Sequence, residues 1–259
     1  MSADVDVMRR LQPAYVAAAE RHAPRNFVLL ALDATAFSFA LALFSEATIL
    51  PAFVGTLTDA PLAFGLLATV FAFGRFLPQL VGTWLVGGRE RRKGVVVAIA
   101  AAQRLGMLLI ALTAMTAGVM PNGQVLVLFF LAFAFYATTT GLIGPPFGDL
   151  LAKAIIRRRG RLYGISQLLG GIAGISAAAI AAEVLRTLPS PQGLQASFWL
   201  AFGASSISLV FVALVREVPY PVVAPREPLR RLVGGIPALL RANHAYRWFL
   251  GSRSVVALG

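Results

Sequence analysis

The sequence contains no cysteine and only two histidines, His22 and His244. Disulfides, thiol chemistry and cysteine-ligated metals are therefore excluded. With no paired histidines, no HExxH run and no clustered carboxylates, there is no metal motif and no acid–base pair. Acidic residues are scarce, 11 Asp and Glu against 23 Lys and Arg, and charged residues of all kinds make up 13% of the chain. Soluble domains carry about 25% charged residues, so a water-facing surface cannot be assembled from this composition. There is no Walker-type glycine-rich loop, no ten-residue alternation of the kind that builds a membrane barrel, and no short apolar core with a small-residue cleavage site at the N-terminus. No enzymatic activity, metal or cofactor is expected from such a chain.

What is plentiful is apolar: 58% of the 259 residues are hydrophobic, and mean hydropathy is +0.77. Six runs are long enough to cross about 30 Å of hydrocarbon, which takes roughly 20 helical residues each. They lie near Phe27–Leu50, Leu62–Val86, Val95–Val119, Val125–Gly148, Leu162–Leu185 and Ala196–Val215. Sheet edges cannot face lipid, so the spans are helices and the expected fold is an all-α polytopic transmembrane bundle. The last fourteen residues, YRWFLGSRSVVALG, begin another apolar run that is too short to span. The expected organisation is a cytoplasmic amphipathic tail over 1–24, six spans over 25–216, a cytoplasmic linker over 217–245, and over 246–259 the truncated start of a seventh helix of a longer protein.

The net charge of +12 is distributed in bunches between the apolar runs. Arg9, Arg10, Arg21 and Arg25 precede the first span. Arg89, Arg91, Arg92 and Lys93 follow the second, and Lys153, Arg157, Arg158, Arg159 and Arg161 follow the fourth. Arg216, Arg226, Arg230, Arg231, Arg241 and Arg247 follow the sixth. The alternate connections, Pro51–Pro61 and Met120–Gln124, have no Lys or Arg, and the turn around Pro189 has only Arg186 nearby. This alternation predicts a cytoplasmic N-terminus in an inner membrane, and it reads the positive charge as topology rather than nucleic-acid binding. Met8, Leu11, Tyr15 and Ala18 share a helical face that ends at Pro24, as do Leu229, Leu232, Ile236, Leu239 and Leu240 in the linker. Each stretch is expected either along the inner membrane surface or against the ends of the bundle.

Polar groups inside the spans are costly, about 2.5 to 3.5 kcal/mol for a central Arg or Asp. Arg75 is near the middle of span two, Arg104 is roughly 14 Å into span three at 1.5 Å per residue, and Asp33 lies inside span one. Arg75, Gln79 and Gly82 share a helical face, with Pro78 bending the helix by freeing the Gly74 carbonyl. Gln103 adjoins Arg104 but points about 100° away. Tyr136, Thr140 and Gly144 share a face in span four, where Pro145–Pro146 is expected to disrupt the helix before Asp149. Gly170 and Gly174 form a GxxxG on a small polar stripe with Gln167 and Gly171. Asp33 and Glu46 are about 140° apart on a straight helix and cannot share a cavity unless span one bends. Two readings of Asp33, Arg75 and Arg104 stay open: they face a wet cavity, with Gln79, Gln103, Tyr136 and Thr140 as further substrate- or ion-coupling candidates, or they are structural pairs such as Asp33 with Arg104.

The layout resembles the major facilitator superfamily of secondary transporters, whose members have two six-helix halves joined by a cytoplasmic segment. The most similar stretch is RRRGRLYGISQLLGGIAG, Arg157–Gly174. There Arg159, Gly160, Arg161 and Gly164 look like the family's basic turn into helix five. The loop from Gly82 looks like the family's gate motif G-x-x-x-D-x-x-G-R-R in its first glycine and in Arg91, Arg92 and Lys93. It has Val86 for the aspartate, Arg89 for the second glycine and Glu90 for the first arginine, so Glu90 is left to supply a carboxylate nearby. Span five has glycines but lacks the proline of the family's drug–proton antiporters. The resemblance implies alternating access about a midplane site with a second half or second copy as partner, and indicates no substrate; the expectation is transport of a small polar solute, driven either by a co-transported ion or by the solute's own gradient. The alternative is a membrane scaffold or assembly factor that moves nothing. The membrane domain of an ATP-driven exporter fits less well, since the loops are short.

Overall fold

The computed structural model describes residues 12–223 and 225–258, without the side chains of Ile236, Leu239, Leu250 and 253–258. The expectations for Met8, Arg9, Arg10 and Leu11, and for the side chains of Ile236 and Leu239, lie outside the described residues. Among the described residues the chain is all-α, with ten helices and no strand: α1 Pro13–Phe44, α2 Ile49–Leu57, α3 Pro61–Phe76, α4 Gln79–Val86, α5 Lys93–Met115, α6 Asn122–Ala154, α7 Arg159–Thr187, α8 Gln192–Leu214, α9 Leu229–Ala242 and α10 His244–Leu258. Six units are long and apolar enough to cross a membrane: α1–α2, α3–α4, α5, α6, α7 and α8. Their outward faces carry exposed Phe73, Leu131, Leu168, Ile172 and Ile207, a surface that suits acyl chains and not water. The chain is a multi-pass helical membrane protein.

α1 packs on α7 and α8, α6 packs on α5 and on α3–α4, and α5 against α8 joins the two groups. Exchanging spans one, two and three with four, five and six maps these pairings onto themselves. Successive spans run in opposite directions, so the two three-helix units are inverted relative to each other. The core between them is aromatic: Phe44, Phe53, Phe129, Phe133, Tyr136 and Phe198 are fully buried and in ring contact, beside Met107 and Ile110.

Three helix boundaries correct the sequence expectation. Pro24 does not end the N-terminal stretch; α1 runs through it. One lost amide donor there costs less than unpacking Tyr15, Val16 and Ala19, which are buried. Pro145 and Pro146 likewise sit inside a continuous α6. Span one, in contrast, is broken over residues 45–48, where the amides of Thr48, Ile49 and Leu50 all donate to the Ser45 carbonyl. Pro51 has no amide to donate toward Ala47, so a single helix cannot continue through this point without loss. The bend expected at Pro78 is present, as the junction of α3 and α4.

The expected GxxxG makes a close helix crossing at one of its two glycines. A Cβ on Gly170 would meet the Ser38 hydroxyl at 2.7 Å, but one on Gly174 meets nothing within 4 Å. The tightest contacts are between α3–α4 and α6. A Cβ on Gly141 would strike the Gly74 carbonyl, and one on Gly82 the Leu142 carbonyl. These two carbonyls are the ones that Pro78 and Pro146 deprive of an amide donor. Each proline-bearing helix lays its freed carbonyl on a glycine of the other, where Cα–H can partly replace the missing hydrogen bond.

Candidate functional site

The seven intramembrane candidates divide into two connected groups. Arg75, Gln79, Tyr136 and Thr140 line one cleft of about 490 Å³ between spans one, two and four, together with Gly144, Phe37, Phe71 and Glu46. Helical spacing alone had aligned Arg75 with Gln79 and Tyr136 with Thr140 and Gly144, and the packing of α3–α4 on α6 turns both stripes inward. Gly82 is on the Arg75 stripe but is used for packing. Glu46 reaches the cleft because the helix breaks where it stands; its only sequence signal is the polar run Ser-Glu-Ala-Thr ahead of Pro51.

The cleft is chemically mixed. Arg75 is exposed, with its guanidinium 5.7 Å from the Phe71 ring centroid, and Glu46 is half-buried. Gln79 donates to the Arg75 carbonyl at 3.1 Å. The Tyr136 ring is fully buried; its hydroxyl makes no hydrogen bond of good geometry, although the Glu46 carboxylate and the Thr140 hydroxyl are near enough to interact with it. A buried hydroxyl without a well-formed bond costs about 1 to 3 kcal/mol, so this one is poorly satisfied where it stands.

Asp33 and Arg104 do not line the cleft. Each is 5% exposed. They are not in direct contact as an ion pair either: the Ser208 hydroxyl donates to Asp33 Oδ1 at 2.6 Å and accepts from Arg104 Nη2 at 2.9 Å. Arg104 also donates to the Ser205 carbonyl at 3.0 Å and to Gln103 Oε1 at 2.7 Å. Gln103 in turn donates to Thr140 Oγ1 at 2.9 Å. The chain Asp33–Ser208–Arg104–Gln103–Thr140 thus ties spans one, six, three and four together and ends on the cleft wall. Phe37 separates the two groups, with the Arg104 guanidinium 4.9 Å from its ring centroid and its other side toward the cleft. The mediating serine was invisible in an apolar span.

The basic segments meet at one end of the bundle. Arg25 donates to the Leu214 carbonyl, Asn26 exchanges two 2.9 Å bonds with Arg216, and Lys93 Nζ reaches the carbonyls of Ala213 and Val215. These groups close the C-terminal end of α8. Glu217 then accepts the amides of Arg92 and Lys93 at 2.8–2.9 Å, at the N-terminus of α5. Carboxylate at a helix start and cation at a helix end both oppose the macrodipole, so the antiparallel pair α5 and α8 is capped reciprocally.

Glu90 does not bring its carboxylate into the contacts of the basic end. It is exposed, and its backbone carbonyl is the group in use, accepting from Lys153 Nζ at 2.9 Å and from the Tyr220 amide at 3.0 Å. The carboxylates are Glu217, paired to Lys153 at 2.7 Å with both side chains almost fully buried, and Asp149, paired to Arg92. Tyr220 lies beneath both cations and stacks on Tyr15 at 5.5 Å. Arg91 stays exposed. In the turn between α6 and α7, Arg159 caps the end of α6 through the carbonyls of Ile155 and Ala152, while Gly160 and Gly164 have open space around them. Arg161 lines a separate cleft beside α1. No protein-family model matches the chain, and no curated protein matches it.

Proposed function

We propose that this protein is a secondary transporter of a small polar solute, organised like a six-helix half of the major facilitator superfamily, with the basic end of its bundle facing the cytoplasm of an inner membrane. The observation that carries this reading is the cleft between spans one, two and four, which Arg75, Glu46 and Tyr136 line together within the apolar spans. An arginine and a carboxylate in one intramembrane cleft favour an anionic or zwitterionic solute. The inverted pairing of the two three-helix units also supports the reading, because such repeats place a site between units that can rock. The scaffold alternative draws on the buried Lys153–Glu217 pair and the closed Asp33–Ser208–Arg104 chain, which hold helices together without needing a substrate.

The deciding measurement is uptake by proteoliposomes of a panel of radiolabelled organic anions and zwitterions. Arg75→Ala is expected to abolish the uptake that the parent protein supports, while the variant remains folded by thermal unfolding. Absence of uptake across the panel, or uptake untouched by Arg75→Ala, favours the scaffold.

A further inference from the structure

We propose that the cleft between the basic end of α1 and the α6–α7 turn is a binding site for an anionic phospholipid. It encloses about 410 Å³ and is separate from the cleft of Arg75. One wall is apolar, formed by Ala23 and Phe27 of α1 and by Ile156; the other carries Arg157, Arg158 and Arg161. Glu20 also lines it, 3.8 Å from Arg157. Arg158 and Arg161 have no carboxylate partner among the described residues, so the lining holds three arginines against one glutamate.

The position fixes the kind of anion. Phe27 starts the apolar run of span one and Leu162 that of span five. The cleft therefore lies where hydrocarbon gives way to headgroups, the level at which basic side chains meet lipid phosphate. Inorganic phosphate would satisfy the arginines and leave the apolar wall uncovered. A zwitterionic lipid would cover the wall but bring its own cation toward three guanidinium groups. Only an amphiphile with a net negative head matches both walls, and arginine forks suit its phosphate oxygens.

The test titrates the full chain in neutral detergent with dihexanoyl phosphatidylglycerol, dihexanoyl phosphatidylcholine or inorganic phosphate and follows the thermal unfolding midpoint. Phosphatidylglycerol is expected to raise the midpoint saturably, with the other two giving little change. Arg158→Gln with Arg161→Gln should weaken the apparent affinity by about 30-fold, from the contribution of a basic residue near anionic lipid. Arg158→Lys with Arg161→Lys should keep most of it, and Arg89→Gln with Arg91→Gln, an equal charge loss elsewhere on the basic end, should leave it at the parent value. If the glutamine pair does not fold, Ala23→Trp fills the apolar wall without touching charge and is expected to abolish saturation. Equal shifts from phosphatidylcholine, a shift reproduced by phosphate alone, equal weakening by the Arg89 and Arg91 pair, or unchanged affinity in Ala23→Trp would each overturn the site.

Discussion

At the scale of single residues, the Tyr136 hydroxyl and Ser208 make opposite demands. Tyr136 is buried with its hydroxyl in no well-formed hydrogen bond, only near Glu46 and Thr140, so the hydroxyl adds little or nothing to stability. Tyr136→Phe is expected to leave the unfolding midpoint unchanged or to raise it, by up to about 1 to 3 kcal/mol of stability, while uptake falls. A purely structural hydroxyl would show the reverse pattern, lost stability with uptake retained. Ser208 is fully satisfied and links two buried ionisable groups. Ser208→Ala leaves Asp33 and Arg104 each short of a partner and is expected to destabilise by about 1 to 3 kcal/mol. Ser208→Thr, which keeps the hydroxyl, should recover most of that loss in the same thermal or denaturant measurement.

At the scale of helices, much of the bundle was legible because a bilayer leaves few choices. Runs of about 20 apolar residues must be helices, and basic clusters must sit on alternate connections. The side-chain stripes Arg75–Gln79 and Tyr136–Thr140 also followed from 3.6-residue spacing. Proline was where spacing misled, since its effect depends on the neighbour. Pro78 and Pro51 adjoin interruptions, while Pro24, Pro145 and Pro146 are carried through intact helices. The glycines opposite them do not decide the outcome, since Gly82 and Gly141 receive the carbonyls that Pro146 and Pro78 free alike, but no one-dimensional pattern shows that pairing. Glu217, Asp149 and Lys153 were missed for a related reason. Each looks like an ordinary charge at a helix end until the fold brings three separate connections together. The crossing makes a sharp prediction. Gly141→Ala drives a Cβ into the Gly74 and Arg75 carbonyls and is expected to cost about 1 to 3 kcal/mol by overpacking. Gly174→Ala, at the open glycine of the expected GxxxG, should be neutral or stabilising by up to about 1 kcal/mol from helix propensity. A larger loss at Gly174 than at Gly141 in thermal unfolding would reverse the assignment of the close contact.

At the scale of the molecule, the inverted three-helix units put the basic connections at one end and the cleft partway along, and the absence of cysteine makes that arrangement directly readable. Among the glycines with room for a side chain, three are well placed: a Cβ at Gly94, Gly123 or Gly144 meets nothing within 4 Å. Gly94 is in the first turn of α5 at the basic end, Gly123 starts α6 at the opposite end, and Gly144 lines the Arg75 cleft. Single cysteines at these positions can be treated with a membrane-impermeant maleimide on intact cells and on inside-out vesicles. Gly94→Cys is expected to react only in inside-out vesicles and Gly123→Cys only in intact cells, since basic segments are retained on the cytoplasmic side. Gly144→Cys separates the two functional readings. A transporter that alternates between states exposes the cleft to both faces in turn, so this cysteine should label in both preparations and be protected by a transported solute. A static scaffold opens the cleft to one face, and labelling should then be confined to one preparation whatever solute is added. The asymmetry of Gly94→Cys and Gly123→Cys serves as the internal standard: if both react from the same side, the bundle is not threaded as the charge pattern requires, and the orientation of the cleft falls with it.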